Sequence, residues 1–173
     1  MSTIIQKLNE LSKLNVTLPI SEQSIQINKI NLEIQSKFEQ FVTKYKNDVE
    51  ASLNYLQFIN NHIRKEANGD LNYIDKLFIL HTWHNDLKEE PIEHTFKSID
   101  IGDTDIKING VNFHFEFELP TISKDLAFLK FILNKTENIE TVDALFYLTF
   151  RYLKQISFND STLEVSDIPT AEV

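Results

Sequence analysis

Val111-Asn112-Phe113-His114-Phe115-Glu116-Phe117-Glu118-Leu119, running straight into Pro120 and Thr121, decides the fold class. Val111, Phe113, Phe115, Phe117 and Leu119 hold every second position, and Asn112, His114, Glu116 and Glu118 alternate with them. Successive side chains of a strand point to opposite faces, so this segment as a strand has one apolar face and one wet face. A helix would scatter the same residues around its axis. Asn109-Gly110 lies between Ile108 and Val111, and a two-residue type I′ turn needs positive φ at both central positions, which Asn and Gly tolerate. The stretch therefore predicts an antiparallel hairpin over residues 106–119. Pro120 closes the strand, and Ser123 is placed to cap a helix carrying Leu126, Leu129 and Leu133 on one face.

Upstream, Ile92, His94 and Phe96 alternate after Lys88-Glu89-Glu90-Pro91 and predict a further strand. Three helices precede it. Leu71 to Leu87 carries Tyr73, Leu77, Leu80, His84 and Leu87 on one stripe; Val49, Leu53, Leu56 and Ile63 follow a cap at Asp48 and stop near Asn68 and Gly69; Ile34, Phe38, Phe41 and Tyr45 follow a cap at Asn31. Val16, Leu18 and Ile20, then Ile25 and Ile27, alternate around Ser21 to Ser24 and predict a small edge hairpin. At the N-terminus Ile4, Leu8 and Leu11, joined by Ile5 and Leu14, recur at helical spacing and predict an arm over residues 1–15. Amphipathic ends commonly pack on their own domain, the plain alternative to a partner contact.

Downstream, Val142, Leu145, Phe146, Thr149, Tyr152 and Ile156 predict a last helix from about Thr141 to Gln155. Ile156 and Phe158, the turn Asn159-Asp160, and Leu163 with Val165 form a terminal hairpin pattern. Ser166-Asp167-Ile168-Pro169 with Glu172 has the grammar of a helix start with little sequence left to continue it. The sum is an α+β, helix-rich single domain over residues 16–165, with about five to six helices and a small antiparallel sheet. The arm 1–15 and the tail 166–173 flank it.

Charge and composition narrow the function. Seventeen basic against 26 acidic residues give a net charge of −9, which makes the basic face of a nucleic-acid binder hard to assemble. No cysteine occurs, so disulfides, thiolate metal sites and thiol nucleophiles are excluded, and a reducing cytoplasm is the simpler expectation. The start MSTIIQKLNELSKLN has charges spread through it and fits neither a signal peptide nor a membrane span; no later run is long and apolar enough to span a bilayer. The three glycines, Gly69, Gly102 and Gly110, build neither a dinucleotide fingerprint nor a P-loop.

Three places invite a chemical interpretation. His81 and His84, with Asp86 nearby, share a helix at a spacing that can hold a metal; His84 also falls on the apolar stripe, and no Glu follows a His as in zinc proteases, which favours packed histidines. Asp100, Asp103 and Asp105 lack the Gly and Glu positions of a calcium loop and suit a solvated turn. His114, Glu116 and Glu118 share a strand face, as a general acid and base would, but half-exposed strands show this pattern without chemistry. No serine lies in a nucleophile elbow. The expectation is a protein with no catalytic residues, cofactor or metal.

The order of elements resembles the baseplate hub assembly family of contractile-tailed bacteriophages. The matching pieces are VTLP, a strand ending in INKI, the Lys37–Tyr45 and Leu53–Arg64 helical segments, NYIDKLFILHTWHNDLK, VNFHFEFELPTISKDLAFLKFIL, and ETVDALFYLTFRYLKQI followed by a turn and SDIPTAE. They cover most of residues 16–172. The chain departs from the family pattern at Lys88 to Glu93, which holds no cysteine, and near the first helix, where the basic segment is reduced to Lys29. The resemblance implies a non-enzymatic tail protein that binds other baseplate or hub proteins, as virion component or assembly chaperone. It would reside in the tail baseplate or, during assembly, in the host cytoplasm. The partner-binding residues expected are Ile4, Leu8 and Leu11 of the arm and Ile168 and Val173 of the tail. An alternative is a small acidic module that regulates a host or phage protein, with the net charge steering association. Neither version involves nucleic acid or a membrane.

Overall fold

The computed structural model describes residues 11–45, 48–134 and 139–164. The long alternating segment is a strand, and its turn has the φ values a type I′ hairpin needs, +49° at Asn109 and +86° at Gly110. It joins β3 (Thr104–Ile108) to β4 (Val111–Phe117). The last hairpin, β5 (Leu153–Phe158) and β6 (Ser161–Glu164), adds to β4 to give an antiparallel sheet of order β3-β4-β5-β6. The strands β1 (Lys13–Thr17) and β2 (Ser24–Asn28) form a separate two-stranded sheet. Among the described residues five helices complete the α+β domain: α1 (Leu32–Tyr45), α2 (Val49–Ala67), α3 (Tyr73–Asp86), α4 (Ile122–Leu133) and α5 (Thr141–Phe150).

Two apolar clusters form the core. Leu18, just after β1, and Ile27 of β2 meet Ile63 of α2, Ile79 and Trp83 of α3, and Leu71 and Ile122. The second cluster joins Leu53 of α2 to Phe128, Leu129 and Ile132 of α4, Tyr147 of α5 and Leu153 of β5, with Phe115, Phe117 and Ile156 of the large sheet packed on it. Helices α2 and α4 each contribute to both clusters and so hold the two halves together.

Helix starts follow local chemistry. The Asn31, Asp48 and Asn72 side chains accept from backbone N–H groups three residues on, at 2.9, 3.4 and 2.9 Å. Asn68 closes α2 in the left-handed conformation, at the point where the sequence pattern stops. The cap of α4 is Thr121, whose hydroxyl accepts from Lys124 N, and not Ser123. The Ser123 N–H instead donates to Asp70 Oδ1 at 2.7 Å, because Ile122 N bonds Leu71 O and draws this chain against α3's entry.

Four further expectations are corrected. Leu14 belongs to β1 and packs on the first cluster, so it is a strand residue and not part of a helical arm. Residues 92–96 form no strand: Asn85 bonds both backbone groups of Ile92, at 2.8 and 3.1 Å, and satisfies them as a neighbouring strand would. The last helix ends at Phe150, and Tyr152 and Ile156 leave its stripe because residues from Leu153 onward pair with β4. Its buried residues are Asp143 and Tyr147, and Phe146 packs on the second cluster as its place in the stripe predicts, while Val142 and Leu145 face outward. On α3 the buried side is Ile74, Asp75, Lys76, Ile79 and Trp83, with His84 and Leu87 exposed. A polar pair among those buried positions is invisible to a hydrophobic stripe.

Candidate functional site

The three places singled out by sequence do not become three sites. His84 is exposed, whereas His81 turns toward Asn85 and stacks edge-on with His94 at 5.0 Å and beside Phe96 at 5.3 Å. The two helical histidines therefore do not converge. The three aspartates do not form one solvated turn: Asp105 lies in β3 and pairs with His114, while Asp100 accepts from Gly102 N and Asp103 from Phe117 N. Among the described residues no group of three or more His, Asp or Glu side chains is placed to hold a metal ion. Phe78, His81, Asn85, Ile92 and His94 line an open cleft of about 600 Å³ beside α3.

On the wet face of β4, His114 Nδ1 lies 2.9 Å from Asp105 Oδ1 and its Nε2 lies 3.9 Å from Glu116 Oε1. The hydrogen bond to Asp105 holds the His114 pKa above the usual histidine range. Glu116 also takes an ion pair from Lys154 at 3.1 Å and a hydrogen bond from Gln155, and the Lys154 bond holds its carboxyl below the usual range. Glu118 is drawn away to Lys124 at 2.9 Å. This is a surface ladder of paired side chains, with its carboxylates already engaged by His114, Lys154 and Lys124.

A group of charges that sequence inspection passed over lies between the two core clusters. Lys76 of α3 donates to Asp125 Oδ2 at 2.7 Å and to Asn60 Oδ1 of α2 at 3.2 Å. Arg151, just after α5, lies 3.7 Å from Asp125 Oδ1 through Nε and donates to the Tyr147 and Tyr152 hydroxyls at 2.9 and 3.0 Å. Its guanidinium also sits 4.9 Å from the Tyr73 ring. Asn60, Lys76, Asp125 and Arg151 are all buried. Burial pushes the Lys76 ammonium below its ordinary pKa despite Asp125, and it pushes the Tyr147 phenol up. Two cations thus face one carboxylate, and the tyrosines supply acceptors and ring faces for the extra positive charge. The signal in the sequence was Asp125, a charge in line with Ile122, Phe128, Leu129 and Ile132 on the buried side of α4. The network is enclosed and joins α2, α3, α4 and the α5–β5 turn, which is the geometry of a structural tie.

The apolar face of the large sheet is the feature that the domain leaves unfinished. Directly paired residues on antiparallel strands share a face. The registers Ile106↔Phe113↔Phe158 and Phe115↔Ile156↔Leu163 therefore lay out apolar rows across the sheet. The second cluster covers the end holding Phe115, Phe117 and Ile156. At the hairpin end Ile106 and Ile108 remain 45% and 47% exposed, with Phe158 and Leu163 also exposed. A second exposed stripe, Val142, Leu145 and Leu148, runs along α5.

Of the five partner-binding residues expected from sequence, Ile4, Leu8, Ile168 and Val173 lie outside the described residues. Leu11 lies within them and is 74% exposed. No family model matches the chain, and no match is found among curated proteins or among solved structures. Among the described residues, no helix is long and apolar enough to cross a membrane.

Proposed function

We propose that this chain is a non-enzymatic phage tail protein that binds other baseplate or hub proteins, as a virion component or an assembly chaperone. The order of elements supports the tail assignment. The observation that carries the binding role is the large sheet, whose apolar face extends past its helical cover at Ile106, Ile108, Phe158 and Leu163. Such a patch costs solubility in isolation and is stabilised by a partner that covers it. The arm residues Ile4, Leu8 and Leu11 and the tail residues Ile168 and Val173 add apolar anchors at the two ends of the chain.

Affinity capture from phage-infected cells tests the proposal. Baseplate and hub proteins should be retained by the intact chain at high salt. They should be lost when Ile108→Lys and Phe158→Lys are combined, or when residues 1–10, which precede β1, are deleted. Capture unaffected by both changes would overturn the assignment of the surface. Recovery of basic host proteins alone, released by salt, would replace the tail role with that of an acidic regulator.

A further inference from the structure

We infer that β3 is a self-complementary edge through which two copies of this chain pair antiparallel about Ile106, merging their four-stranded sheets into one of eight strands. The inference rests on the hairpin register and does not depend on the tail assignment.

Among the described residues β3 is an edge strand, paired on one side only, and all five of its residues are exposed. The type I′ turn makes Ile108 and Val111 a hydrogen-bonded pair. Counting back in steps of two, Ile108, Ile106 and Thr104 turn their backbone groups to β4, and Lys107 and Asp105 turn theirs outward. A two-fold axis through Ile106 sets Asp105 of one copy opposite Lys107 of the other, and the reverse. The outward-facing residues of each copy then become the hydrogen-bonded pairs of the new ladder, and no outward donor of Asp105 or Lys107 is left over.

The side chains agree with that register on both faces. On the wet face the row His114–Asp105 continues into Lys107 of the second copy, so charges alternate in sign across the junction. Among the described residues the Lys107 side chain has no ion-pair or hydrogen-bond partner. On the apolar face the row Phe158–Phe113–Ile106 meets its own image, and each exposed Ile106 is covered by the other. Shifting the register by one residue would place apolar side chains against the charged row. An isologous contact of this kind closes after two copies and does not propagate. The net charge of −9 opposes association at long range, which keeps the dimer weak and dependent on concentration.

Sedimentation velocity on the whole chain, from about 1 µM to about 1 mM, reads the equilibrium between the 20.2 kDa monomer and twice that mass. Lys107→Asp alone, or Asp105→Lys alone, sets like charges opposite at two symmetric places and should weaken the dimer about tenfold or more. The double swap D105K together with K107D restores opposite pairs and should restore dimerisation. Amide hydrogen exchange on the unaltered chain gives an independent check, since Asp105 and Lys107 N–H groups should gain protection as concentration rises while Ile106, bonded to β4, stays protected throughout. A chain that stays monomeric across the range overturns the proposal. So does a dimer that survives either single reversal, or one that leaves the Asp105 and Lys107 amides unprotected.

Discussion

Replacing Asp125 by Ala tests the core charge network most directly. Asp125 Oδ2 lies 2.7 Å from Lys76 Nζ, and Oδ1 lies 3.7 Å from Arg151 Nε. At an effective dielectric of about 20, these separations correspond to gross attractions of about 6 and about 4.5 kcal/mol. Desolvation of the three buried ions offsets much of that gain. Removing the sole carboxylate nevertheless leaves two buried cations facing each other, a change that costs about 3–5 kcal/mol where one partner of a buried pair is deleted. Against the stability of about 5–15 kcal/mol typical of a domain, the loss is large. Lys76→Met, by contrast, keeps the aliphatic stem and leaves one cation, Arg151, opposite one anion, so it should cost less than about 2 kcal/mol. Equilibrium urea unfolding followed by circular dichroism gives both numbers, provided the slope of free energy on denaturant is unchanged. If D125A falls within about 1 kcal/mol of the original protein, or if K76M costs as much as D125A, the two-to-one charge balance is not what makes Asp125 important.

Two smaller tests address particular corrections. Thr121→Ala should destabilise the protein by about 1 kcal/mol through loss of the α4 cap, whereas Ser123→Ala should change stability by less than about 0.5 kcal/mol in the same assay; the reverse order would return the cap to Ser123. In an NMR titration at micromolar concentration His114 should titrate above about 6.5, the ordinary histidine value, and Asp105→Asn should bring it down. Because the folded-state pKa is the raised one, the His114–Asp105 contribution to stability is fully present below about 6.5 and is lost as pH rises through the folded value. A His114 midpoint indifferent to D105N would show that Asp105 does not set it.

Much of the architecture was legible from local rules. The β3–β4 hairpin follows from Asn109-Gly110 and the period of two in residues 111–119, since turn stereochemistry and face alternation are properties of the chain itself. Asn31 and Asp48 announced their helices for the same reason. Residues 92–96 and 150–156 show where local rules stop. Ile92, His94 and Phe96 carry a strand's alternation, yet their partner is the side of α3. Tyr152 and Ile156 fit a helical stripe equally well, yet β4 offers hydrogen bonds that a longer helix would forfeit. In both cases the local sequence allows two conformations, and a distant backbone chooses between them.

The candidate surface divides in the same way. Sequence alone determined that β4 has an apolar and a wet face, that the chain carries no cysteine and no glycine-rich phosphate loop, and that Ile106 and Ile108 enter the hairpin through Asn109-Gly110; that Asp105 joins them in β3, and is not part of an acidic turn, came only with the structure. Only the tertiary structure decided which part of the apolar face the helices cover and which strand is left at the edge. It also decided that Lys76, Asp125 and Arg151, scattered over three elements, share one enclosed site. The reason is physical: face and turn preferences act over a few residues, whereas coverage, edges and buried ion pairs depend on which elements meet, and that is set by contacts between residues far apart in the chain.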